Sequence, residues 1–95
     1  MVRLKNIVES IIYTDLKRKR LSDMAAKYLI KSMEEYKPLA AMMNFKIYLQ
    51  TKYNKMLTEQ AINDIYDIVW YSIGASYSRL KQIAKDAIYK NLKVK

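Results

Sequence analysis

The stretch TEQAINDIYDIVWYSIGASYSRLKQIAKDAIY, residues 58–89, decides the fold. Ile62, Ile65, Val69 and Ile73 recur at three- and four-residue steps, with Ile68, Ala75, Ile83 and Ala87 around them, which is a helical period and not the alternation of a strand. Thr58 suits an N-cap, with Glu59 and Gln60 in the first turn after it. The spacing predicts one long helix from Thr58 to about Tyr89, about 50 Å at 1.5 Å per residue. Gly74 sits in its middle, where glycine costs up to about 1 kcal/mol relative to alanine, and marks a kink or a close helix crossing. A helix that is apolar most of the way round must be covered most of the way round. Shorter helices from the rest of the chain cover one side. A second copy of the chain is expected to cover the other, through Ile65, Tyr66, Val69, Trp70, Ile73, Tyr77 and Leu80.

Three helices are expected upstream. The first runs from about Arg3 to Leu16, with Leu4, Ile7, Val8, Ile11 and Ile12 in one apolar stripe. It ends at Lys17-Arg18-Lys19-Arg20, where cations sit well beside the negative end of a helix dipole. Ser22 then caps a second helix reaching about Tyr36, with Ala25, Tyr28, Leu29, Ser32, Met33 and Tyr36 on one side. Lys37-Pro38 stops it, because the residue before proline resists the helical region while proline suits a first turn. The third helix spans about Pro38 to Tyr53, with Leu39, Met42, Met43, Leu49 and Tyr53 apolar, and Asn54-Lys55-Met56 connects it onward. One Gly and one Pro are too few for the hairpins of an all-β protein. The expectation is a single all-α domain over residues 1–95: about four helices, the C-terminal one long, assembled as a homodimer.

Composition narrows the chemistry. The chain is 52% hydrophobic and 28% charged, too apolar for a disordered segment and too charged for a membrane-embedded one. It has no Cys and no His, which removes thiol nucleophiles, zinc knuckles, the commonest general base and the near-neutral pH switch. One Gly leaves no glycine-rich phosphate loop. No enzymatic activity, cofactor or metal is expected. Lys5 and Glu9 interrupt the N-terminal apolar run, which is not a signal peptide, and no segment approaches the roughly 18 apolar residues of a membrane span. The expected setting is cytoplasmic, nucleoid-associated, or inside a virus particle, with no integral membrane association.

The charge is lopsided. Eighteen Lys and Arg against nine Asp and Glu give +9, more than solubility requires, and imply a polyanionic partner. The cations come in blocks: residues 1–20 are net +4, 38–57 net +3 and 79–95 net +5, whereas 58–78 are net −3. Four adjacent cations cannot all face a core, and each phosphate they neutralise releases counterions. Candidate phosphate contacts are therefore Lys17, Arg18, Lys19, Arg20, Lys46, Lys52, Lys55, Arg79, Lys81, Lys90 and Lys93. Among the aromatic residues, Tyr66, Trp70 and Tyr77 recur near helical spacing, which favours packing over a platform for stacked bases.

From Asn44 to Lys95 the chain resembles the archaeal histones. Thr58-Glu59-Gln60-Ala61 matches that family's opening of the long central helix, and Ile83-Ala84-Lys85-Asp86-Ala87 its aliphatic-Ala-basic-x-Ala close. The resemblance implies an intertwined dimer gripping duplex DNA through paired loops, with Lys55, Lys90 and Lys93 on phosphates. No room remains after Lys95 for the histone third helix, and residues 1–40 have no histone counterpart. A helix-turn-helix arrangement is the other DNA-binding architecture in view.

Two functions follow. The first is a small basic protein contacting duplex DNA as a dimer, in DNA organisation, transcriptional regulation, or replication and partition. The second is a helical interaction subunit of a larger nucleoprotein complex, its apolar face on a different protein. Peripheral membrane binding by the first helix ranks below both, because so small a chain needs that stripe for its core.

Overall fold

The computed structural model describes the backbone of residues 2–93 and the side chains of residues 14–93. The apolar stripe from Leu4 to Ile12 lies outside the described side chains. Four helices follow in order: α1 Val2–Glu35, α2 Pro38–Lys52, α3 Glu59–Tyr71 and α4 Tyr77–Asn91, with no strand among the described residues. Each short connection turns the chain back on itself. α1 and α3 each pack against both α2 and α4, and among the described residues neither diagonal pair brings Cα atoms within 8 Å. The result is an antiparallel, up-and-down arrangement of four helices. Its direction is pinned by side chains: Tyr89 near the end of α4 meets Asp15 of α1, and Tyr77 at its start donates to the Met33 carbonyl at 3.2 Å.

Two expectations about helix ends are overturned. The first concerns Lys17 to Ser22, expected to separate two helices, which lies inside the single 34-residue α1. Lys and Arg are good helix formers, and nothing in this run breaks a helix. Asp15–Lys19 and Asp23–Lys27, at 3.2 and 2.9 Å, add i,i+4 ion pairs on either side of it, each with the acid on the N-terminal side. Ser22 is no N-cap. It is buried, and its hydroxyl donates back to the Lys19 carbonyl at 3.0 Å, a bond made within a continuing helix.

The second concerns residues 58–89, expected as one helix, which form two. Thr58 caps α3 as expected, accepting from the Ala61 N–H at 3.0 Å. After Tyr71 the ladder changes register. Ser72, Ile73 and Ala75 donate to Val69, Trp70 and Ser72, three residues back, and Ser76 then caps α4 by accepting from the Arg79 N–H. Gly74 marks a turn, and neither a kink nor a close crossing: a Cβ there would meet nothing within 4 Å. The long C-terminal helix is therefore not formed, and the segments resembling histone elements lie on separate helices.

Folding back explains the core. Leu29 of α1, Met42, Phe45 and Leu49 of α2, Ile65 and Val69 of α3, and Leu80 and Ile88 of α4 are fully buried. Ile65, Val69 and Leu80, expected at a dimer interface, are interior within one chain, because α4 supplies the cover assigned to a second copy. Ile73 is half-buried against the same core, and Tyr77 is committed to α1. Of the expected interface Trp70 and Tyr77 keep exposed rings, and Tyr66 is half-buried against the core.

Candidate nucleic-acid interface

Three cationic blocks distant in sequence meet at one end of the bundle. Antiparallel pairing puts the middle of α1, the end of α2 and the end of α4 at that pole. Three long-range hydrogen bonds fix the meeting: Tyr53 Oη donates to the Leu21 carbonyl at 2.7 Å, Arg18 Nη2 to the Tyr89 carbonyl at 2.7 Å, and the Lys93 N–H to the Met56 carbonyl at 2.9 Å. Lys17, Lys19, Arg20, Lys52, Lys55, Lys90 and Lys93 consequently surround the place where α1 leaves the bundle. Lys17 is half-buried and the other six are exposed. Asp15, Glu59 and Asp86, the last lining a hollow with Lys19 and Tyr89, are acids on the same end.

Arg18 stands apart from its neighbours. Its guanidinium carbon lies 4.4 Å over the Tyr89 ring while Nη2 bonds the Tyr89 carbonyl. A carbonyl in the last turn of a helix lacks an intrahelical donor, and the negative end of α4 favours a cation there. Expected as a phosphate contact, Arg18 instead ties α1 to α4, and its Nε is buried without a hydrogen-bond partner. Asp15 completes the clamp by accepting from the Tyr89 hydroxyl. This bond first, and then Lys19, holds the Asp15 carboxyl below its usual range, and the same bond raises the Tyr89 phenol.

The remaining expected contacts are elsewhere. Lys46 lies midway along α2, 5.4 Å from the Tyr66 ring centroid. Arg79 is in the first turn of α4, at the opposite end. Lys81 is 3.9 Å from Asp23, as is Lys85, so both neutralise a carboxylate already paired with Lys27. The hydrogen bond from Lys27 is the main cause of the lowered Asp23 pKa.

Continuity of α1 adds two residues the sequence reasoning passed over. Lys27 and Lys31 belong to a segment, 21–37, whose charges cancel in a sum. On one unbroken helix Lys17, Arg20, Lys27 and Lys31 fall on one side, Lys17 half-buried and Lys27 paired with Asp23, and extend the cationic pole along about 21 Å. Only the i, i+3, i+10, i+14 spacing across Lys17–Ser22 could have revealed it, and that spacing has meaning only if the helix does not stop there.

Most aromatic side chains are structural. Tyr28 and Tyr48 stack at 4.1 Å between α1 and α2, with Tyr53 tilted against Tyr48, and burial raises the Tyr53 pKa. Tyr66 and Trp70 stack on each other at 6.4 Å along the flank of α3. Among the described residues no helix is long and apolar enough to cross a membrane, and no cluster of acids could hold a metal ion. No protein-family profile matches this chain, and neither the curated proteins nor the solved structures compared with it include a match.

Proposed function

We propose that this protein binds the phosphate backbone of duplex DNA, as a dimer, with the cationic pole and its extension along α1 as the contact surface. One observation carries the proposal: seven cations from three sequence blocks, six of them exposed, are gathered at one end against three acids, of which Asp15 pairs with Lys19, while the span from Thr58 to Ser78 holds no cation at all. Such segregation costs self-repulsion in the free protein, and bound phosphates relieve it. A surface on which Lys outnumbers Arg, with Arg20 its one guanidinium, fits backbone contact more than base reading, since Lys carries no fixed hydrogen-bond fork. The role is accordingly architectural or accessory in DNA organisation, replication or partition, in preference to a sequence-reading regulator.

Fluorescence anisotropy of a mixed-sequence duplex, titrated at several salt concentrations, tests this. Binding should weaken linearly in log–log form, and Lys55→Ala or Lys93→Ala should each lower the slope by about one. Arg79→Ala, at the other end, should leave it unchanged. No binding at low salt overturns the proposal.

A further inference from the structure

Two buried serines of α1 behave differently. Ser22 returns its hydroxyl to the Lys19 carbonyl at 3.0 Å, the usual resort of a serine inside a helix. Ser32 is 5% exposed, yet its hydroxyl makes no hydrogen bond among the described residues, where a buried hydroxyl is ordinarily bonded. It is not sealed in the interior, as Arg18 Nε is, and opens into a hollow of about 350 Å³ between the end of α1 and the first half of α2. Antiparallel pairing builds this hollow: Tyr28 stacks on Tyr48, so that Ser32 and Asn44, one turn further on, line the same space with Lys31, Glu35 and Tyr36. The half-buried Asn44 amide and the exposed Lys31 and Glu35 are likewise unbonded among the described residues. Tyr48 occupies one face of the Tyr28 ring, whereas the Tyr36 ring is 52% exposed.

We infer that this hollow takes one unpaired, amino-bearing nucleobase from a single-stranded end of the bound DNA, with Tyr36 stacking on the base and Asn44 and Ser32 bonding its edge. The inference rests on the phosphate reading above and goes beyond it. Lys31 both lines the hollow and ends the run of cations along α1, so a strand held by those cations delivers its end there. The lining suits a base. An Asn amide pairs bidentately with adenine, a carboxylate such as Glu35 accepts from the amino group of cytosine, and thymine offers no amino group to either. Exposed aromatic rings stack on any base. The Glu35 carboxylate repels a phosphate, and no cluster of acids among the described residues could hold a metal ion. The volume lies at the lower end of the roughly 300–1,000 Å³ of small-ligand sites, room for one base with its sugar.

Fluorescence anisotropy with three labelled probes tests this: a blunt duplex of about 20 base pairs, and the same duplex with a single-stranded overhang of about four dA or about four dT. The dA overhang should tighten binding at least about tenfold over the blunt duplex, and the dT overhang at most about threefold. Asn44→Ala should bring the dA overhang down to the level of dT. Tyr36→Ala should remove the gain from both, and each variant should hold the blunt duplex within about twofold of wild type, with circular dichroism confirming that it is folded. Equal binding of the dA and dT overhangs by the wild type, or a dA preference that survives either substitution, overturns the inference while a bound blunt duplex leaves the phosphate proposal standing. Binding of none of the three probes overturns both.

Discussion

Lys17–Ser22 and Ser72–Ser76 both lie between apolar stretches, and they behave in opposite ways. The first carries four consecutive charges and remains helical; the second carries none and breaks. Charge density is no helix breaker, because Lys and Arg keep their rotamer freedom on a helix and leave the backbone ladder intact. Serines at 72 and 76, around Ile-Gly-Ala, give the chain an N-cap and no side chain that holds the ladder closed. What separates the two segments is competition for backbone hydrogen bonds. Hydropathy does not.

Arg20→Pro attacks the continuous segment directly. It removes a ladder bond and clashes with the preceding turn, so the expected loss is about 3 kcal/mol or more, read as a lower urea midpoint. An unchanged midpoint would mean that α1 is already broken there.

Arg18→Met comes next. It keeps most of the stem but deletes the bond to the Tyr89 carbonyl, for a loss of about 2 kcal/mol with little change in the salt slope of DNA binding. If instead the slope falls by one while stability holds, Arg18 belongs with the phosphate contacts.

The broken segment is tested by smaller changes of opposite sign. Ser76→Ala should cost about 1 kcal/mol by removing the cap of α4. Gly74→Ala should stabilise by about 0.4–1 kcal/mol, because the turn has no positive φ, the added Cβ meets open space, and the unfolded chain loses freedom. A destabilising Gly74→Ala would contradict the turn geometry.

The smallest effect is the pH dependence of the clamp. The Asp15 pKa is lowered on folding, so its contribution is complete above the unfolded carboxylate range and is lost as pH falls through the folded value, from about pH 4 downward. The Tyr89 pKa is raised, so its contribution is complete below about pH 10 and is lost as pH rises through the folded value. Thermal midpoints of Asp15→Asn should therefore fall less than wild type at both extremes. Equal slopes would place the pH dependence elsewhere.

Much of the fold was legible. The apolar periods predicted helices throughout, and Thr58, Pro38 and the connector around Lys55 stand where their chemistry suggested. The ends that failed, at Ser22 and Gly74, are places where a cap residue or a glycine is compatible with either outcome. Within the site, the blocks at Lys17–Arg20, Lys52–Lys55 and Lys90–Lys93 were visible as runs of charge. Arg18 was not separable from its neighbours, since only the approach of Tyr89 distinguishes it. Lys27 and Lys31 were hidden by a segmental sum that a continuous helix makes irrelevant.

Sequence alone determined the helical class and the excess of cations over acids, because helical periodicity and formal charge are local properties of the chain. The tertiary structure decided which cations face outward together, which aliphatic residues are interior and which flank is left uncovered. Those outcomes depend on how antiparallel helices bring distant residues side by side, and on α4 turning back over α3 at Ser72–Ser76.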